Sequence, residues 1–117
     1  MAATILVADD EEPIVEIVAA VLALEGYTVL RAYDGAAALA ILLEGQVNLL
    51  VTDNMIPHLS GVELIAHLHG HPGIAVPVIL MSAVTPVLMP PRVTFMPKPF
   101  DIDRLIALVE RLLRPAT

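Results

Sequence analysis

The 117-residue sequence predicts an α/β protein in which a parallel sheet is covered by helices on both faces. Short apolar runs, beginning with Ile5–Ala8, alternate with stretches whose apolar residues recur at helical spacing. The runs are too apolar to leave one face of a strand in water, which is typical of strands in a parallel sheet buried on both sides. Because no linker, repeat or low-complexity segment interrupts this alternation, we expect a single domain over residues 1–117.

Five strands are predicted from the short apolar runs. They lie at Ile5–Ala8, Tyr27–Ala32, Val47–Thr52, Val76–Ser82 and Val93–Met96. Four helices are predicted between or after these strands from start signals such as Asp34, Ser60-Gly61 and Asp101 or Asp103, and from stop signals such as Gly26, Gly45 and Gly70. The residues expected on the buried faces of the helices are Ile14, Ile17, Val18, Val21, Leu22, Ala36, Leu39, Ala40, Leu43, Val62, Ile65, Leu68, Ile102, Leu105, Ile106, Val109 and Leu112.

The crossover between the last two strands departs from this pattern. Its ten residues, Ala83 to Arg92, contain Pro86, Pro90 and Pro91. Proline inside a helix costs about 3 kcal/mol or more, and a parallel crossover usually needs about a dozen residues. We therefore expect the fourth crossover helix to be shortened or missing, and Val87-Leu88-Met89 to form an exposed apolar patch available to a partner.

Composition excludes several classes of function. The formal charge of −7 and the six Lys and Arg residues argue against direct binding of nucleic acid. Hydrophobic residues make up 57% of the chain, but the uncharged stretch Gly70–Pro91 is rich in proline and the other apolar runs stop at eight residues, so we expect no membrane insertion. The absence of cysteine and of a basic signal-like N-terminus predicts a cytoplasmic protein.

Polar residues follow four of the predicted strands. Asp9 and Asp10 follow the first strand, Asp53 the third and Lys98 the fifth, while Ser82 ends the fourth. In a parallel sheet of order 2-1-3-4-5 these strand ends meet at one edge, with the first and third strands as neighbours. The sequence therefore predicts one site there.

The chemistry expected at this edge is phosphoryl transfer. Three carboxylates this close would repel one another unless a cation lay between them, and Mg²⁺, with Mn²⁺ as a possible substitute, suits an all-oxygen site that stays open to water and phosphate. Transfer of a phosphoryl group requires in-line positioning and neutralisation of its oxygens. Asp53 can be the nucleophile, while the cation, the Ser82 hydroxyl and the Lys98 ammonium each neutralise one oxygen.

These residues carry a resemblance to the receiver domains of two-component response regulators. The matching segments come in the family's order and cover nearly the whole chain: Val7–Glu11, Asp53–Gly61, Leu80–Ala83 and Lys98–Phe100. The resemblance implies a flavodoxin-like three-layer α-β-α sandwich whose five-stranded parallel sheet has the order 2-1-3-4-5. It also implies that the domain accepts a phosphoryl group from a histidine kinase or a histidine phosphotransfer protein.

The resemblance assigns a role to each matching position. Asp53 resembles the phospho-acceptor and Asp10 the direct metal ligand, while Asp9 acts on the metal mainly through water and the Met55 main-chain carbonyl is a further ligand. Ser82 is similar to the hydroxyl that reorients on phosphorylation, and Lys98 to the lysine that binds the phosphoryl group. Phe95 matches the aromatic residue whose rotamer reports that change, although an aromatic residue on a short strand more often belongs to the core.

Two further predictions concern residues near this site. Met55 and Val84 lie where family side chains control the access of water to the acyl phosphate, and because both are apolar we expect a long-lived phosphorylated state. His67, His69 and His71 are expected to be exposed side chains, because residues two apart do not share a helix face on which to bind a metal.

The leading hypothesis is a signalling receiver that catalyses only its own phosphorylation and dephosphorylation and then switches a surface read by a downstream protein. No effector domain is expected, since the last helix ends at Arg114-Pro115, so the chain is a free-standing module or the receiver part of a longer protein. A homodimer is possible. One alternative is a Mg²⁺-dependent aspartyl-phosphate phosphohydrolase, although such an enzyme would need a second acid where this chain has Met55. Another is a dimerisation module without phosphorylation, which the intact acidic set does not favour.

Overall fold

The computed structural model describes residues 2–71, 73–84 and 90–114. Its strands are β1 (Thr4–Ala8), β2 (Thr28–Ala32), β3 (Leu49–Asp53), β4 (Val78–Ser82) and β5 (Val93–Pro97). Its helices are α1 (Glu12–Leu24), α2 (Gly35–Leu43), α3 (Gly61–His69) and α4 (Ile102–Leu113). Strand and helix alternate as the sequence predicts as far as β4, and the described residues between β4 and β5 form no helix.

The strands form one parallel sheet of order β2-β1-β3-β4-β5. This order confirms the predicted fold class. β3 lies at the centre, and all five of its residues are buried. The chain moves outward from β1 in one direction to β2 and in the other to β3, so the order reverses beside β1 and β3, where parallel α/β proteins bind their ligands.

The core consists of two layers, one on each face of the sheet. Successive residues of a strand point to opposite faces. Ile5 and Val7 of β1 therefore pack in the layer formed with α1 and α4, while Leu6 and Ala8 pack in the layer formed with α2 and α3. This double coverage accounts for the apolar composition of the chain. None of the helices in the described ranges is long and apolar enough to cross a membrane.

The predicted buried face of α2 is wrong at three of its four positions, since only Leu39 packs against the core. Ala38 and Leu42 are buried, whereas Leu43 is 44% exposed and Ala36 and Ala40 are also exposed. Every side chain of this helix is apolar apart from the initial glycine, so its hydrophobic pattern has no polar side from which to read the orientation. Its start is predicted correctly, because the side chain of Asp34 accepts a hydrogen bond from the Ala37 N–H at 2.7 Å.

Two single positions on other helices are also wrong. Ile17 of α1 is 53% exposed and Val62 of α3 is 40% exposed, although both were expected to face the core. In α3 the buried positions are instead Leu64, Ile65 and Leu68. Ile17 directly precedes the correctly placed Val18, and Val62 lies three residues before the correctly placed Ile65, so helical spacing alone is compatible with either assignment.

The described part of the crossover between β4 and β5 contains no helix. Ala83 and Val84 form a bend, and Pro91 and Arg92 form a turn that leads into β5. This agrees with the effect expected of the prolines. Pro86 and the predicted apolar patch at Val87-Leu88-Met89 lie outside the described residues.

Candidate functional site

The carboxyl ends of four strands bring the predicted site residues to one edge of the sheet. Asp53 is the last residue of β3 and Ser82 the last residue of β4, while Asp9 directly follows β1 and Lys98 directly follows β5. The ends of β4 and β5 are tied together, because the Lys98 N–H donates to the Ser82 carbonyl at 2.9 Å. Parallel pairing thus gathers residues from four distant parts of the sequence.

Three aspartates form a compact cluster at this edge. Asp9, Asp10 and Asp53 each place a carboxylate oxygen within 4.8 Å of the others. Oxygens bound to one octahedral Mg²⁺ at about 2.1 Å can lie at most about 4.2 Å apart. The cluster is therefore close to the size of a magnesium site, and it fits if the side chains move slightly or if one of them acts through water.

The three carboxylates differ in how their oxygens are occupied. Asp9 is fully buried; its Oδ1 accepts from the Glu11 N–H at 2.9 Å and its Oδ2 from the Lys98 ammonium at 3.1 Å. Asp10 is exposed, whereas Asp53 is 6% exposed. Both oxygens of Asp9 thus take part in hydrogen bonds, whereas the carboxylate of Asp10 is open to solvent.

Lys98 joins the two buried carboxylates. Its Nζ lies 3.1 Å from Asp9 Oδ2 and 3.5 Å from Asp53 Oδ1, and its side chain is 20% exposed. Burial alone would lower the pKa of Lys98, but hydrogen bonds and charge attraction from Asp9 and Asp53 raise it above the ordinary value. The ammonium is therefore held in its charged form beside the proposed nucleophile.

The negative charge of Asp53 is less well stabilised by its surroundings than the positive charge of Lys98. Burial raises the pKa of this carboxyl, and the charge of Asp9 adds to the effect, while the nearby charge of Lys98 and the main-chain N–H of Asn54 oppose it. The balance leaves the pKa above its usual value. One ammonium thus does not fully stabilise the ionised carboxylate, and a further cation near Asp53 would favour the ionised form.

Ser82 is buried and already takes part in a local turn. Its Oγ accepts a hydrogen bond from the Val84 N–H at 3.1 Å. Because a hydroxyl can accept and donate at the same time, its O–H remains able to donate to another oxygen. Ser82 can therefore donate a hydrogen bond to a ligand while its oxygen still accepts from Val84 at the start of the crossover.

The remaining predicted residues lie around this centre. The side chains of Met55 and Val84 are each 75% exposed, on the loops that follow β3 and β4. Phe95 pairs with Leu80 in the sheet, is half-buried, and lines a cavity of about 280 Å³ together with Arg104 and Arg111. His67, His69 and His71 are exposed, as expected.

Sequence reasoning missed how the segment after Asp53 is held. The backbone of Asn54 and its side chain bind the first turn of α3, and the Gly35 N–H donates to the Pro57 carbonyl at 3.0 Å. A Cβ on Gly35 would overlap Leu59, so glycine is needed where this loop crosses the start of α2. The Ser60-x-x-Glu63 spacing of a capping box was visible in the sequence, whereas the role of Asn54 has no comparable local signal.

The chain belongs to the response regulator receiver domain family, whose profile matches residues 5–110. It is 33% identical to the response regulator MprA of Mycobacterium tuberculosis in an alignment that covers 97% of this chain and 52% of that protein. The chain thus spans about half the length of the curated relatives it matches.

Solved structures agree with this assignment. The receiver domain of the hybrid histidine kinase CckA is 35% identical, with a TM-score of 0.84 over 96% of this chain and 100% of that one. The chemotaxis response regulator CheY4 of Vibrio cholerae is 23% identical, with a TM-score of 0.85 over 97% of this chain and 100% of that one, and it supports the fold alone.

Proposed function

We propose that this domain accepts a phosphoryl group on Asp53 from the phosphohistidine of a histidine kinase or a histidine phosphotransfer protein. One observation carries the proposal: the buried carboxylate of Asp53 lies at the sheet edge between two further aspartates and the ammonium of Lys98. A nucleophilic carboxylate within reach of fixed positive charge is what phosphoryl transfer to a protein side chain requires. Membership of the receiver family supports the same function.

The transfer consists of one in-line displacement. An oxygen of the Asp53 carboxylate attacks the phosphorus atom while the bond between phosphorus and the donor imidazole nitrogen breaks. The imidazole leaves with the bonding electron pair, and the product is an acyl phosphate on Asp53. The donor is another protein and the acceptor is this chain. The domain therefore catalyses only its own phosphorylation and, later, the hydrolysis of the acyl phosphate.

Asp10, Asp53 and the Met55 main-chain carbonyl are the proposed ligands of Mg²⁺, with Asp9 acting through water. The size of the carboxylate cluster and its all-oxygen donor set fit this ion, and Mn²⁺ could replace it. When bound, the ion supplies positive charge for one phosphoryl oxygen and removes the repulsion among the three aspartates.

Lys98 and Ser82 contribute directly to the binding of the phosphoryl group. The Lys98 ammonium, now 3.5 Å from Asp53 Oδ1, pairs with a second phosphoryl oxygen. The Ser82 hydroxyl donates to a third. Movement of Ser82 toward the phosphoryl group would strain or break its bond with the Val84 N–H, and this links phosphorylation to the start of the crossover after β4.

The output of the domain is a change in a surface that a downstream protein reads. Phe95 belongs to this proposed surface, because it lies on β5 beside the crossover and is half-buried in the present state. We place the protein in the cytoplasm, where kinase domains and their receivers meet. A phosphohydrolase is less well supported, because Met55 offers no acidic group two residues after the nucleophile.

Phosphohistidine transfer tests this function. A phosphotransfer protein carrying labelled phosphohistidine is mixed with the chain in the presence of Mg²⁺. The label is expected to move to the wild-type chain and to remain on the donor when the acceptor carries Asp53→Asn or when a chelator is present. Transfer to the variant at the wild-type rate would contradict the proposal.

A further inference from the structure

Asn54, which lies between the proposed acceptor and Met55, is held by three hydrogen bonds. Its N–H donates to the Met81 carbonyl of β4 at 3.1 Å, and its carbonyl accepts from the Gly61 N–H at 3.0 Å. Its side-chain Oδ1 accepts from the Val62 N–H, also at 3.0 Å. One residue thus connects the end of β3 to the neighbouring strand and to the first turn of α3.

These bonds complete the capping of α3. The first N–H groups of a helix have no partner within the helix. Here the N–H groups of Ser60 and Glu63 bind each other's side chains in a capping box. Asn54 accepts from the two amides in between, those of Gly61 and Val62. The start of the helix is therefore satisfied by two separate devices, and only one of them is attached to the acceptor strand.

Glycine at position 61 makes the connection possible. A Cβ at this position would lie 2.8 Å from the Asp53 carbonyl oxygen and 2.9 Å from Asn54 Cα. These contacts are with backbone atoms, which cannot move aside as the end of a flexible side chain can. Helix α3 therefore begins directly against the backbone of the acceptor.

We infer that Asn54 is a positioning residue that fastens residues 53–55 to the start of α3, and so sets where the Asp53 carboxylate and the Met55 carbonyl lie. The inference rests on the function proposed above. The Asn54 side chain touches neither the phosphoryl group nor the metal in this account. It acts through the backbone of its neighbours, Asp53 and Met55. Loss of the hydrogen bond from the Val62 N–H would loosen the loop that begins at Asn54 and carries Met55.

The alternative role for Asn54 is that of a helix cap and nothing more, and Ser60 provides the matched control. Ser60→Ala removes a cap from the same helix, at the Glu63 N–H, but leaves the Asn54 bonds in place. Asn54→Leu replaces the side chain by one of similar size without an acceptor, and Asn54→Ala is a milder second variant. All these substitutions leave the net charge unchanged, so long-range attraction for a cation is the same.

Two measurements on the unphosphorylated protein test the inference. Amide hydrogen exchange without metal should show faster exchange at Val62 in both Asn54 variants than in the wild type. Calorimetric titration with Mg²⁺ should show binding weakened by about tenfold in the Asn54 variants, as for other residues that orient metal ligands. Ser60→Ala should bind Mg²⁺ as the wild type does.

Each outcome separates this inference from the function proposed for the site. If the wild type binds Mg²⁺ and the Asn54 variants bind it equally well, Asn54 is only a cap and the inference is wrong. Equal weakening by Ser60→Ala would also overturn it, because any loosening of α3 would then have the same effect. If the wild type itself binds no Mg²⁺, the metal site of the proposed function fails, and the positioning role fails with it.

Discussion

The ammonium of Lys98 lies 3.1 Å from the Oδ2 of Asp9, a side chain that is completely buried. This pair connects the end of β5 to the end of β1, two strands that are not neighbours in the sheet. In the described structure Lys98 also lies 3.5 Å from Asp53, so a single cation offsets two buried acids. The pair therefore supports the stability of the metal-free domain as well as the proposed chemistry.

Lys98→Met is expected to destabilise the metal-free protein. Removal of one partner from a buried ion pair leaves the other charge uncompensated, which costs about 3 kcal/mol. The free energy of unfolding is measured by urea titration with a chelator present. The control is Arg31→Met, which breaks a pair with Glu16 whose side chains are 41% and 51% exposed and should cost about 1 kcal/mol or less. Equal, small losses in both variants would mean that Asp9 does not depend on Lys98.

Magnesium is expected to stabilise the folded domain through the aspartate cluster. A ligand that binds only the folded state at about 100 times its Kd adds about 2.7 kcal/mol to the free energy of unfolding. Asp10→Asn should abolish this gain, because it removes the exposed carboxylate of the cluster. Asp34→Asn is a suitable control, since it removes one negative charge elsewhere while asparagine still caps α2. Retention of the full Mg²⁺ effect in Asp10→Asn would contradict the assigned ligand set.

The capping box of α3 predicts a pH dependence of stability. Hydrogen bonds from the N–H and the hydroxyl of Ser60 hold the pKa of Glu63 below its ordinary value of 4.5. A carboxyl whose pKa is lower in the folded state stabilises that state above the unfolded pKa, and this contribution is lost as the pH falls through the folded value.

Glu63→Gln tests this dependence, because glutamine keeps an acceptor for the Ser60 N–H but does not titrate. Urea unfolding should show that the stability difference between the wild type and Glu63→Gln shrinks as the pH falls below 4.5 toward the lowered pKa of the folded state. A difference that stays constant over this range would show that the capping carboxylate does not titrate as described.

Met55 and Val84 are expected to protect the acyl phosphate from water. Both side chains are apolar and 75% exposed on loops that follow site strands. Met55→Ala or Val84→Ala should shorten the lifetime of the phosphorylated protein, measured as loss of the phosphoryl mass after removal of the donor. Leu24→Ala is the control, because Leu24 is 86% exposed at the far end of α1. Unchanged lifetimes in both site variants would remove this role.

The meeting of the site residues at one edge of the sheet could be predicted from the sequence for a specific physical reason. A buried parallel strand is a short apolar run, so its carboxyl end is marked where the run meets a polar residue, as at Asp9, Asp53 and Ser82. The fold rule for parallel sheets then places these ends together. The individual roles are predictions from the family resemblance, because no spacing reveals them.

Other features depend on packing that local patterns do not encode. The orientation of α2 could not be read, because its side chains are apolar on every side and only the sheet decides whether Ala38 or Ala40 is buried. The hydrogen bonds of Asn54 depend on where α3 begins, seven residues later at Gly61, and on the close approach that this glycine permits. Such contacts between separate elements appear only in the folded chain.

The acceptor role of Asp53 is tested most directly by intact-mass measurement after incubation with a small acyl phosphate donor and Mg²⁺. The wild-type chain is expected to gain the mass of one phosphoryl group, and Asp53→Asn is expected to gain none while remaining folded. A wild-type chain that gains no mass, or a variant that gains as much as the wild type, would contradict the account.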